Sequence, residues 1–376
     1  MADNSFPSST LMHIPLNDLQ RCVGAHVDAI KNAIDQVLAS GRYVLGNAVA
    51  SFEREFADYC GVAHCVGVGN GSDALELALR ALGVAANDEV VTVANAAMYS
   101  TLAIRAIGAT PVYADVDDAT LTMNVASLRG VLTQETRAII VTHLYGRLAD
   151  IGAIKALAVS AGLPLIEDCA QAHGAGLEGQ RAGGFGNIGC FSFYPTKNLG
   201  AVGDGGAVTT DDAGLAARVR ALRQYGWQQK YVVAVAGGRN SRLDELQAAV
   251  LRVKLRHLDV MNIRRRAIAQ SYSNRIRNTR IRTPAIEGEN HVAHLYIVRT
   301  AERESLRSHL AQHGVGTDIH YPLPDHRQPT VTGTKSATSL PTTEQACREV
   351  LTLPCFPEMT DAEADYVITA CNTWTP

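Results

Sequence analysis

Apolar and polar positions along the chain fall into two textures, and the change comes near residue 64. Before it, apolar residues recur at helical spacing from Leu16 to about Leu38, predicting one helix that ends at Ser40-Gly41. Residues 41–61 read as a loop, with Tyr43 and Gly46, leading into a short helix faced by Phe52, Phe56 and Tyr59. From His64 onward, short apolar runs alternate with amphipathic stretches. Strands are predicted at 64–68, 89–93, 111–114, 138–141 and 164–166, with two more at 190–193 and 207–209, the last a candidate for antiparallel pairing. Helices are predicted at 73–82, 100–107 and 149–161. In the first of these Leu75, Ala78, Leu79 and Leu82 fall at i, i+3, i+4 and i+7. Such alternation implies an α/β fold with a mainly parallel sheet covered on both faces.

After Gly226 the pattern turns helical, with one long helix expected over 243–271. A smaller α+β region follows: strand 294–298, helix 303–313, strand 317–321, a polar loop at 332–340, and helices near 343–350 and 361–373. The predicted organisation is a large α/β domain, 1–255, and a small C-terminal α+β domain, 256–376. Residues up to Ser9 are small and polar and are expected to be loose.

Composition narrows the class. At 376 residues, 47% apolar and 19% charged, the chain has material for a large core, and two domains suit its length. A net charge of −3 gives no reason to expect nucleic acid or a membrane surface as partner. The eight cysteines lack a CxxC pair and read as free thiols. With no signal-like N-terminus and no apolar stretch of spanning length, the expected location is cytoplasmic. Arg264, Arg265 and Arg266 are expected on a solvated face or a subunit contact.

Three stretches carry candidate chemistry, and in a parallel sheet they would meet at the carboxyl ends of the strands. Gly69-Asn70-Gly71-Ser72 opens a helix, so its free N–H groups suit a phosphate, with Ser72 as the expected helix cap. It is not a dinucleotide fingerprint, because Ser72 stands where GxGxxG needs glycine. Leu165-Ile166 runs into Glu167-Asp168 and delivers a carboxylate to a strand end, where it needs a cationic partner. A metal held by Asp168, Cys169, His173 and Cys190 lacks recognised ligand spacing, and none is expected. Lys197 lies between an aromatic strand ending in Ser192 and the glycines 200, 203, 205 and 206. An amine for an aldehyde, an anion for a ring nitrogen and a cup for a phosphate together describe a site for pyridoxal 5'-phosphate.

At this point the chain resembles a known family. GNGSDALELALRALG, HLYGRLADI, IEDCAQAHGA, FSFYPTKNLGAVGDGGAVTT and GGRNSRLDELQAAVLRVKLRHLD look like successive motifs of the DegT/StrS sugar aminotransferases. These are fold-type I pyridoxal phosphate enzymes acting on nucleotide-linked keto sugars. The resemblance runs from about Tyr43 to Pro357. It implies Lys197 as the Schiff-base lysine, Asp168 at the pyridine nitrogen and Gln171 near the phenolic oxygen. It also implies Gly71, Ser72 and Ser192 at the phosphate, and Asn240 reaching that phosphate from a neighbouring subunit, hence a homodimer with shared sites. Where the family has an aromatic residue over the ring, this chain has Met98, with Tyr99 beside it. Tyr43, His320 and Tyr321 are placed at the substrate.

The form FYPTKNLGAVGDGGA is similar to members that make 3-amino-6-deoxy sugars on dTDP, with glutamate as amino donor. Members acting at C4 more often carry a histidine before the lysine segment and TGEGG after it. A C4 or UDP-sugar aminotransferase is the alternative within the family. Related dehydratases replace the lysine with histidine, which Lys197 argues against, and a regulatory binding protein on the same fold is the non-enzymatic alternative.

Overall fold

The computed structural model describes residues 12–331 and 339–376. The expected loose N-terminus and most of the polar loop at 332–340 lie outside the described residues.

The centre is a seven-stranded sheet in the order β1-β9-β8-β5-β4-β2-β3. Its strands are β1 (His64–Val68), β2 (Glu89–Val93), β3 (Thr110–Ala114), β4 (Thr136–Thr142), β5 (Leu165–Asp168), β8 (Ile188–Ser192) and β9 (Gly206–Thr210). Two small hairpins, of β6 (Gly176–Leu177) with β7 (Gln180–Arg181) and of β10 (Trp227–Gln229) with β11 (Val232–Val233), lie apart from it. Strands β3, β2, β4, β5 and β8 pair in parallel, while β9 runs antiparallel to both β8 and β1. The antiparallel candidate at 207–209 is therefore antiparallel.

Side chains alternate across the sheet and feed two cores. Ile139, Val141, Leu165 and Phe191 join one cluster with Phe52, Phe56 and Leu251. Ala138, Ile140, Ile166, Ile188 and Cys190 join the other with Leu75, Leu79 and Val219. Both faces are covered, which is why the strands read as unbroken apolar runs.

Two expected helices are each broken once. The N-terminal one divides into Leu19–Gly24 and Val27–Ser40, and the long one into Glu245–Leu255 and Leu258–Arg275. The first break follows Gly24, a weak helix former, whereas the second has neither proline nor glycine to announce it. The breaks meet in space, where the rings of His26 and His257 stack 4.2 Å apart.

The C-terminal part has its own core around Tyr272, Tyr296, Phe356 and Trp374. Its strands are β12 (Tyr296–Arg299) and β13 (Val350–Leu353), antiparallel to each other. The expected strand at 317–321 does not form; Asp318 makes one isolated bridge to Thr352. Ile14, from the other end of the chain, is sealed in this core and bridges to Val315. Arg21 reinforces the tie through Glu363 at 2.8 Å. Among the described residues no helix is long and apolar enough to cross a membrane, and all eight cysteines are free thiols.

Candidate active site

A cavity of about 830 Å³ opens at the carboxyl ends of the strands. Parallel pairing aligns those ends, so β4, β5 and β8 bring Thr142, Asp168 and Ser192 to one wall, and the turn after β1 adds Gly71 and Ser72. Lys197, Gln171, His320 and Tyr321 line the same cavity.

The two acids of β5 point to opposite faces. Glu167 is sealed and accepts from the backbone N–H groups of Gly183, Phe185 and Gly186 at 3.0, 2.7 and 2.7 Å. Its fourth partner is His143 Nε2 at 3.0 Å. His143 Nδ1 accepts from the Ala149 N–H at 3.2 Å, so the ring proton is on Nε2 and points at the carboxylate. Asp168 has one N–H, that of Ala170 at 3.1 Å. Burial raises its pKa above the ordinary aspartate value, with the Ala170 amide, Lys197, His143 and the Thr142 hydroxyl opposing. That buried hydroxyl stands beside Asp168 in the cavity, near enough to favour its charged form but without a hydrogen bond of regular geometry.

Lys197 sits in a compact turn, its N–H bonded to the Tyr194 carbonyl at 2.8 Å, while Ala201 N–H reaches the Phe193 carbonyl at 2.8 Å. A side chain at Gly200 would run into the Pro195 carbonyl, so the turn closes only with glycine there. Burial lowers the Lys197 amine to about 8, although Asp168 pulls it upward. Such an amine supplies a sizeable neutral fraction at mildly alkaline pH.

At the phosphate-type turn the helix Gly71–Ala81 is capped by Asn70, whose side chain accepts from Asp73 N–H at 2.8 Å. The expected cap, Ser72, is displaced from that role and stands exposed in the first turn, beside N–H groups that lack helical acceptors. A Cβ at Gly71 would lie 2.7 Å from Ser192 Cβ, so only glycine lets the turn approach β8 this closely. Gln171 is held from both ends: its Oε1 accepts from Tyr145 N–H at 2.6 Å and its Nε2 donates to the Tyr321 hydroxyl at 3.1 Å. His320 Nδ1 lies 2.7 Å from the Thr352 hydroxyl.

The DegT/DnrJ/EryC1/StrS aminotransferase family model matches residues 25–372. The chain is 46% identical to the erythromycin biosynthesis sensory transduction protein EryC1 of Saccharopolyspora erythraea, over 95% of this chain and 98% of that one. It is 45% identical to the dTDP-3-amino-3,6-dideoxy-alpha-D-galactopyranose transaminase of Aneurinibacillus thermoaerophilus, over 96% and 99% respectively. The crystal structure of S. venezuelae DesV in complex with a ketimine intermediate superposes with a TM-score of 0.93 at 44% identity, covering 96% of this chain and 98% of that one. The chain belongs to the DegT/DnrJ/EryC1/StrS aminotransferase family.

Pyridoxal phosphate is the cofactor of this aminotransferase, and the cavity fits it. Asp168 is a buried acid with a single backbone donor, and Gly71 lets the phosphate-type turn close against Ser192, which a Cβ there would prevent. Three expected residues are not in the aminotransferase's own cavity. Met98 is turned away: its backbone adopts φ 69°, its N–H bonds Asp325 at 2.9 Å, and its side chain packs with Ala94, Tyr113, Val331 and Leu340. Tyr99, one position on, lies on the cavity wall instead. Tyr43 and Asn240 are exposed outside it.

The sequence reading missed two wall residues. Arg265 is buried rather than solvated, donates to the Cys355 carbonyl at 2.5 Å, and leaves Nε without a partner. Its signal was present, since Leu258, Met261, Arg265, Ile268 and Tyr272 share one helical face. His294 gave no such signal. His143, Glu167 and Cys169 are spaced for a metal, but the hydrogen bonds of Glu167 and His143 already occupy that cluster. It differs from the set weighed in sequence, which included Asp168, His173 and Cys190.

Proposed function

We propose that the aminotransferase moves an amino group from glutamate to the keto carbon of a dTDP-linked 3-keto-6-deoxyhexose, giving the 3-amino sugar. The observation that carries this reading is one cavity holding Lys197, Asp168 and the Gly71 turn, in a chain 45% identical to a dTDP-3-amino-sugar transaminase.

Pyridoxal phosphate, when bound, supplies an aldehyde for the amine and a ring that accepts electrons. The protein supplies the rest. Lys197 would hold the group by condensing its amine with that aldehyde, releasing water, and as a free neutral amine would carry the donor's α-proton, which its lowered pKa permits. Asp168 would pair with the ring nitrogen and keep it protonated. The first N–H groups of the helix Gly71–Ala81, with the hydroxyls of Ser72 and Ser192, would hold the phosphate. Gln171, steadied by Tyr145 and Tyr321, would serve the phenolic side of the ring. Tyr99, rather than Met98, would cover the ring. His320 and Tyr321 border the sugar.

A homodimer is part of the same reading. Tyr99, Leu102 and Tyr194 are large exposed apolar residues at the cavity rim, a surface that suits a second copy. Asn240 then reaches the phosphate of the partner's site. Tyr43, joined to the same segment through the Val44–Asp244 bridge, reaches the partner's substrate. The division into a cofactor-binding unit, 1–255, and a smaller unit, 256–376, has its boundary at the helix break beside His257, except that the segment around Ile14 packs with the smaller unit.

The test is a panel of dTDP- and UDP-linked keto sugars with glutamate, following cofactor absorbance and locating the new amine by NMR. Amination at C3 of the dTDP sugar is the expected result. Amination at C4, or of UDP sugars alone, overturns the substrate. Absorbance unmoved by glutamate favours the binding-protein reading.

A further inference from the structure

His294 follows a loop that enters β12 and lines the cavity, yet nothing above uses it. Its protonation can be worked out from a chain of amides whose ends are fixed. Asn262 Nδ2 donates to the His173 carbonyl at 2.8 Å. Asn198 Nδ2 donates to Asn262 Oδ1 at 2.8 Å and to the Val292 carbonyl at 3.1 Å. A backbone carbonyl can only accept, so neither amide can be turned round without setting two oxygens against each other. Asn198 Oδ1 is therefore an acceptor, and His294 Nδ1, 3.0 Å away, carries the proton. The lone pair is left on Nε2. No residue bonds Nε2 among the described residues, and it is not among the buried polar atoms sealed without a partner, so it opens onto the cavity.

Burial, with Lys197 and then Arg265 nearby, pushes the ring's pKa well below the ordinary histidine value. The imidazole is neutral at physiological pH, and its free nitrogen accepts only. Other polar groups lining the cavity include the cations Lys197 and Arg265, the Tyr321 hydroxyl and the carboxylates of Asp168 and Asp318. An amino-acid donor presents carboxylates, which a lone pair repels. A keto sugar presents hydroxyls on the carbons flanking its carbonyl, and an O–H is the complement of this nitrogen.

We propose that His294 Nε2 is a specificity contact that accepts a hydrogen bond from a sugar hydroxyl adjacent to the keto carbon. This rests on the keto-sugar reading above. Asn198 and Asn262 are positioning residues that set the tautomer, and Asn198 follows Lys197 directly, so one network orders both the lysine turn and the sugar contact.

The decisive variant of the holoenzyme is His294→Asn, which keeps an N–H where Nδ1 stands and removes the far side of the ring, Cε1 and Nε2. Retained cofactor absorbance and an unchanged melting temperature establish that the variant folds. Glutamate alone should then change the cofactor spectrum at a rate within about twofold of wild type. With a dTDP-3-keto-6-deoxyhexose, kcat/KM should fall about tenfold to a hundredfold, mainly through KM. Wild-type enzyme should show a similar loss on the analogue lacking the recognised hydroxyl, tried as the 2-deoxy and the 4-deoxy sugar. On that analogue the variant should be no worse than wild type. This wild-type arm does not depend on how the variant folds. An Asn variant that handles the keto sugar normally, an equal loss in the glutamate step, or full activity on both deoxy sugars overturns the proposal. If wild type aminates no keto sugar at all, the functional reading fails instead, and the two failures are distinguishable.

Discussion

The two faces of β5 carry adjacent acids with opposite fates. On one face Glu167 meets three backbone N–H groups and a histidine, and every donor around it is matched. On the other, Asp168 has a single N–H, with the Thr142 hydroxyl and a lysine of lowered pKa beside it in the same cavity. Burial is nearly the same for both. What separates them is satisfaction: a saturated buried charge ties loops together, whereas an under-partnered one is held ready for something that arrives later. The lesson extends to histidines, since His143 has both nitrogens engaged and His294 has one to spare.

That contrast can be broken experimentally. Lys197→Ala should reduce both half-reactions below detection while circular dichroism and melting stay close to wild type; measurable turnover would remove Lys197 from the chemistry. Asp168→Asn should keep the fold and some cofactor but cost about a hundredfold or more in kcat. Glu167→Gln should do the reverse. Setting an amide N–H₂ against a cluster of N–H donors should destabilise the protein by about 3 kcal/mol, read by denaturant melts. If the Gln variant melts normally and loses only activity, the comparison between the faces is wrong.

A smaller effect concerns pH. Because Lys197 titrates near 8, capture of pyridoxal phosphate by cofactor-free protein should rise between pH 7 and 9 and level off well below the ordinary lysine value. Over the window from about 8 to 10.5 the unfolded chain holds a proton that the folded one does not, so stability of the cofactor-free protein should rise with pH there. A capture rate still climbing at pH 10 would contradict it. The smallest contrast is at the ring-covering position. Tyr99→Ala should weaken cofactor affinity about threefold to tenfold, whereas Met98→Leu should leave it unchanged and shift stability by less than about 1.5 kcal/mol.

The sheet was legible because both faces of β2, β4 and β5 are buried, so each strand announced itself as an apolar run. The site was legible where chemistry needs rare residues in order: a glycine turn, a strand-end acid, a lysine before glycines. Illegible features depend on tertiary partners. Nothing local breaks the helix at His257, and at His26 only Gly24 hints at a break; the two breaks meet in one contact between distant segments. Met98 and Tyr99 could not be ranked until the left-handed turn at Met98 turned its side chain into the packing around Tyr113. Arg265 was hidden by the charged residues flanking it, and His294 by a role that only its amide partners define.

Ile14 bears on how the molecule comes to be. The core it enters is completed by Trp374, so one small unit draws on residues made early and residues made much later. The sheet has all its strands by Thr210 and can assemble while the chain is still growing. The C-terminal core cannot, and until its last helix arrives Ile14 has nowhere to dock. The cavity wall contributed by Arg265, His294 and Tyr321 is thus finished last, and a nascent chain acquires its phosphate cradle well before its sugar contacts.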